Sequence, residues 1–177
     1  PSAGSGQVRF RRPVGPAPTI SYGYDNNPGG GCRDYTCGGR CYDGHSGTDI
    51  HLGRANANKL MNRFLLASCA RFSARLVAID GGGLRNVIPR ESQALLAIPG
   101  GQGAAFKAFL EHEAALYKSE YAATDPDLQL TCAPAAASPN VLDGEFQARL
   151  LTTVYDVANG IYRMSPDVEG LVQTSNN

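Results

Sequence analysis

The feature that most constrains the fold is the stretch "RANANKLMNRFLLASCARF" at residues 54–72. Leu60, Met61, Phe64, Leu65, Cys69 and Phe72 recur there at three- and four-residue spacings, so a helical period gathers them into one apolar stripe. Such a helix must bury that stripe, and the residues that follow supply partner surfaces. "RLVAID" alternates around Val77 and Ile79, a triple glycine permits positive φ at a turn, and "ALLAI" at residues 94–98 forms a second apolar strand. A hairpin, or two strands around a longer irregular loop, is expected. "GQGAAFKAFLEHEAALYKSEY" predicts a second helix with Phe106, Phe109, Leu110, Leu116 and Tyr117 on one face, and "LQLTC" at residues 128–132 predicts another strand. After the loop "APAAASPN", Asp143 reads as the N-cap of a third helix carrying Phe146, Leu150, Leu151, Val154, Val157 and Ile161. The final "GLVQTSNN" starts like a strand.

Length bounds this layout: 177 residues suffice for one domain with a sizeable core. Sixteen basic and sixteen acidic residues cancel, so no global field recommends nucleic acid or an anionic membrane as partner. No apolar run approaches the roughly 18 residues of a membrane span, and residues 1–20 lack a signal-peptide core. A soluble, cytoplasmic protein is the expectation. Five cysteines is an odd number, and Cys69 falls within an apolar helical pattern, so a secreted disulfide framework is not expected.

Residues 1–43 differ from the rest. They contain no Leu, Glu, Lys, Met or His, yet hold nine of the 21 glycines, five of the 11 prolines and three of the five cysteines. "PSAGSG", "RRPVGPAP" and "NNPGGG" have turn and linker chemistry, with too few large apolar residues to offset the entropy of ordering a chain. Little regular structure is expected there, and "VRFRR" reads as a solvated basic arm.

Within "CRDYTCGGRCYDGHSGTDIH", Cys32, Cys37, Cys41 and His45 offer a zinc three thiols and an imidazole, but their spacing matches no CxxC knuckle or iron–sulfur pattern. A cysteine-rich metal sensor therefore stays an open but weak alternative. His45, Asp49 and His51 form an HxxxD-type arrangement; the downstream HxH pair that such zinc sites require is missing, and His112, between Glu111 and Glu113, reads as a helix-surface residue. Ser46 lacks a nucleophile-elbow context. What remains is an imidazole in a loop flanked by Gly44 and Gly47, and a second glycine turn, "GGGLRNVIPRE", that presents Arg85 and Asn86. Imidazole, guanidinium and carboxamide all donate hydrogen bonds to oxyanions. Two tight turns without chemistry are the plain alternative.

"GHSGTDIHLGRANANKLMNRFL" followed by "LVAIDGGGLRNVIPRE" resembles the lid, or dimerisation, domain of the aminoacylhistidine dipeptidases, a branch of the zinc-dependent aminoacylase and carboxypeptidase superfamily. The resemblance is strongest from Gly44 to about Ile98, and the closing "GLVQTSN" is similar to the family's "GVVETSLN". Ahead of His45 the family has a regular strand of the kind "YxLxVxGLxGG", where this chain has "DYTCGGRCYDG". Such a break would arise if residues 1–43 were read out of frame from a GC-rich gene.

The resemblance implies an α+β lid: an antiparallel sheet with two helices packed on one face, plus an additional C-terminal helix, with residues 44–177 forming a partial lid/dimerisation domain. It implies a catalytic His45 that stabilises the oxyanion of an intermediate, and a substrate-binding Asn86 with Arg85 beside it; Asp49 and His51 organise the loop. It further implies a separate catalytic domain that binds the zinc, with no metal held by this chain, a homodimer, and dipeptide substrates such as Xaa-His. The isolated chain is then expected to be inactive. A standalone protein-interaction module is the competing expectation.

Overall fold

A computed structural model describes residues 4–11, 52–82, 88–136 and 138–176. The elements in chain order are β1 (Gly4–Arg11), α1 (Ala57–Phe72), β2 (Arg75–Gly81), β3 (Ser92–Ile98), α2 (Gly103–Glu120), β4 (Gln129–Ala135), α3 (Gly144–Asp156), β5 (Gly160–Met164) and β6 (Val172–Asn176). β1 to β4 form one antiparallel sheet in the order β2-β3-β1-β4, and β5 and β6 form a separate two-stranded ribbon. This is the α+β layout that the sequence implied.

The main sheet and helices α1 and α2 share one core. Leu60, Met61, Phe64, Leu65 and Phe72 of α1 meet Phe106, Phe109, Leu110 and Tyr117 of α2 over Leu76, Ala94, Leu96, Ile98 and Leu130 of the strands. Ring contacts join the two helices: Phe64 stacks on Phe109 with centroids 5.5 Å apart, and Phe72 meets Phe106 edge-on at 5.3 Å. Period-2 burial in β3 puts Ser92, Ala94, Leu96 and Ile98 inward, as a sheet covered on one face requires. In β2 only Leu76 is fully buried; the register with β3 shifts between Leu76 and Ala78, and Ile79, though it pairs with the buried Ala94, is 40% exposed.

Three expectations are corrected. Gly4–Arg11, expected within an irregular segment as part of a solvated arm, forms a strand that pairs with β3 on one side and β4 on the other; the gap between those two strands has unpaired backbone groups on both edges for it to satisfy. Leu116 on α2 is exposed rather than core-facing. The third helix stops at Asp156, so Ile161 belongs to β5, and its apolar stripe faces the core only in part: Leu151 is buried and Leu150 packs beside it, whereas Phe146 and Val157 are exposed.

That last difference has a polar cause. Gln147 is buried, accepts from the Leu76 N–H at 2.8 Å and donates to the Ala74 carbonyl at 3.1 Å. Its amide also donates to the Cys69 sulfur at 3.0 Å. A buried amide must be satisfied, and this one is satisfied only with its own face of α3 turned to α1 and β2. Leu151 is then buried, whereas Phe146, Tyr155 and Val157 are exposed. Asp143 caps the helix as expected, accepting from the N–H groups of Glu145 and Phe146.

Candidate functional site

The residues singled out for chemistry, His45, Arg85 and Asn86, lie outside the described residues, as do Asp49, His51 and the cysteines at 32, 37 and 41. What the structure describes is the footing from which both motif segments leave. Residues 54–56 follow the "GHSGTDIH" stretch and lead into α1; residues 88–90 follow "GLRNV" and lead into β3.

These two footings are bonded to each other. The Ala57 N–H donates to the Pro89 carbonyl at 2.7 Å. The guanidinium of Arg90 donates to the Ala55 carbonyl at 2.9 Å and forms an ion pair with Asp125, whose other carboxylate oxygen accepts the Ala55 N–H at 2.8 Å. Both polar backbone groups of Ala55 are thus held by one ion pair. Asp125 is buried and Arg90 largely so, which makes these charge-assisted bonds stronger than surface ones and costly to leave half-made.

Glycine is required where the second motif departs. A Cβ on Gly81 would stand 2.1 Å from Asn58 Oδ1 and 2.7 Å from Ser92 Oγ, and Gly82 has φ of +76°, a region that favours glycine. The Asn58 amide donates to the Gly81 carbonyl at 3.4 Å, and the Gly82 N–H to the Glu91 carbonyl at 3.4 Å. The hairpin is therefore closed beside α1 on both sides of residues 83–87.

The asparagine-rich start of α1 ties a third element to the same place. Asn56 is buried and caps α1 by accepting from the N–H groups of Asn58 and Lys59, while its amide donates to Asn159 Oδ1 at 2.7 Å. Lys59 Nζ donates to the carbonyls of Val154 at 2.6 Å and Tyr155 at 2.8 Å, and to that of Val157. A cation at carbonyls left open by a helix end is favoured by the helix dipole. Nothing in periodicity marked Arg90, Asp125, Asn56 or Lys59 for these roles, though Arg90 lies within the "RNVIPRE" motif and Asn56 within "RANAN".

A pocket of about 240 Å³ opens over this clamp between Arg54, Ala57, Arg90, Thr124, Asp125 and Leu128. Of its charged walls, Arg90 and Asp125 are already engaged with protein groups. Among the described residues no group of three or more His, Cys, Asp or Glu side chains is placed to hold a metal ion, and no helix is long and apolar enough to cross a membrane. His112 is exposed on α2, as expected. Burial raises the thiol pKa of Cys69, partly offset by its hydrogen bond from Gln147, so this cysteine is less ready than usual to form thiolate.

Comparison with known proteins gives this architecture a context. Residues 40–125 match the family model of a peptidase dimerisation domain. The cytosol non-specific dipeptidase of Escherichia coli (strain K12) is 34% identical over 134 residues, which are 76% of this chain and 28% of that protein. The crystal structure of aminoacylhistidine dipeptidase from Vibrio alginolyticus superposes with a TM-score of 0.73 at 29% identity, over 98% of this chain and 30% of that one. The chain spans less than a third of the length of these relatives.

Proposed function

The chain resembles, in sequence and in fold, the lid or dimerisation domain of the aminoacylhistidine dipeptidases, and from that premise we propose that it completes the active site of a zinc-dependent dipeptidase and mediates its dimerisation. His45 donates to the oxyanion of the tetrahedral intermediate. Asn86 binds substrate near its carboxylate or scissile carbonyl, with Arg85 beside it. The catalytic domain that these residues serve is a separate one, and the zinc belongs to it. Residues 44–177 act as a partial lid, in a cytoplasmic homodimer whose substrates are dipeptides such as Xaa-His.

The observation that supports this most is the clamp between the footings of the two motif segments. An oxyanion donor and a substrate donor on different segments serve one reacting centre only if their spacing is fixed, and Ala55, Ala57, Pro89, Arg90 and Asp125 join those segments within a few residues of each motif. The test is steady-state kinetics on the full-length protein that carries this sequence. Asn86→Ala is expected to weaken substrate binding, and His45→Ala to lower turnover; wild-type constants for both would overturn the proposal.

A further inference from the structure

We infer that Arg90 and Asp125 are positioning residues for catalysis, an ion pair that sets the spacing between the segment bearing His45 and the segment bearing Asn86. This rests on the function proposed above and assigns the two side chains a role that acts through the segments they hold.

Three observations converge on it. Arg90 stands four residues after Asn86 in the sequence, and its guanidinium reaches across to the carbonyl of Ala55. Asp125 comes from the turn that follows α2, holds the Ala55 N–H and neutralises Arg90. Ala55 is neither helix nor strand, yet it is 3% exposed; without the pair both of its backbone groups would be buried and unsatisfied. The clamp therefore fixes the chain just where it leaves the "GHSGTDIH" stretch for α1. Lysine cannot replace Arg90 in kind, because a single ammonium lacks the fork that serves Ala55 and Asp125 at once.

The test is a mutant cycle in the full-length protein. Arg90→Met alone leaves Asp125 buried and unpaired and endangers folding, so the variant to use is R90M/D125N, which removes both charges and leaves an amide able to accept from the Ala55 N–H. Its turnover is expected to fall roughly 10- to 100-fold, as misplacement of a catalytic group does, with dimer mass and cooperative unfolding retained. The discriminating reading is the combination with His45→Ala: the triple variant should turn over no more slowly than His45→Ala itself, since the clamp acts through the histidine and a shared route makes effects non-additive. If R90M/D125N keeps full turnover, or if its effect multiplies with that of His45→Ala, the positioning role is overturned while the function proposed for His45 stands. If His45→Ala alone keeps full turnover, that function fails first and the clamp's catalytic role with it.

Discussion

The backbone N–H of Ala57 lies 2.7 Å from the carbonyl oxygen of Pro89, which joins the first turn of α1 to the segment three residues beyond Asn86. That N–H is one of the four a helix start leaves without an internal partner. Here it is satisfied by a hairpin rather than by solvent or a cap, so the helix start and the hairpin exit are fixed to one another.

Asn56 should be the costliest of the α1 start residues to replace. It caps α1 and also bonds Asn159, and loss of an N-cap costs about 0.5–2 kcal/mol. Asn56→Ala is expected to destabilise by about 2 kcal/mol, and Asn56→Ser to recover the capping part only. Urea unfolding of the two variants measures the difference.

Lys59→Met should loosen the far end of α3 without disturbing α1. The ammonium bonds three carbonyls between Val154 and Val157, and hydrogen bonds to charged groups contribute about 1.5–3 kcal/mol. Amide hydrogen exchange is expected to accelerate at residues 154–160 and to stay unchanged across residues 60–72.

Two apolar truncations should differ sharply. Leu65 is fully buried, so Leu65→Ala is expected to cost about 2–5 kcal/mol. Phe146 is 48% exposed, so Phe146→Ser in this chain should change stability by no more than about 0.5 kcal/mol. Equal losses would mean that Phe146 is turned inward.

The pair between Arg63 and Glu120 gives a signed pH dependence. Two bonds of 2.7 and 2.8 Å join them, and the bond from Arg63 holds the Glu120 carboxyl below its ordinary value of 4.5. A carboxylate whose pKa is lower folded than unfolded stabilises above the unfolded value, and that stability is lost as pH falls through the folded one. Both side chains are partly exposed, so the gain is about 0.2–1 kcal/mol. The stability gap between wild type and Glu120→Gln should be constant near neutrality and close as the solution is acidified below pH 4.5.

Elements with one apolar stripe were legible from residue spacing. Leu60, Phe64 and Phe72 define α1, Phe106 and Leu110 define α2, and Asp143 marks the start of α3, because burial and capping are local in sequence. The facing of α3 was not legible. Its apolar residues outnumber Gln147, yet the three bonds of one buried amide decide which side turns in, and those partners lie about 70 residues away. The central place of Gly4–Arg11 was hidden for a related reason: a strand between two others is chosen by the edges it completes, not by its own composition. The same holds for Arg90 and Asp125, whose meeting at Ala55 no spacing announces. His45, Arg85 and Asn86 were singled out by motif and resemblance, and they lie outside the described residues.

The turnover number of His45→Ala in the full-length protein, measured with a His-containing dipeptide at saturating zinc, tests the central claim most directly. Loss of one oxyanion donor lowers kcat roughly 100- to 1,000-fold, with KM, dimer mass and unfolding midpoint close to those of wild type. A kcat equal to that of wild type would contradict the claim that this histidine completes the active site.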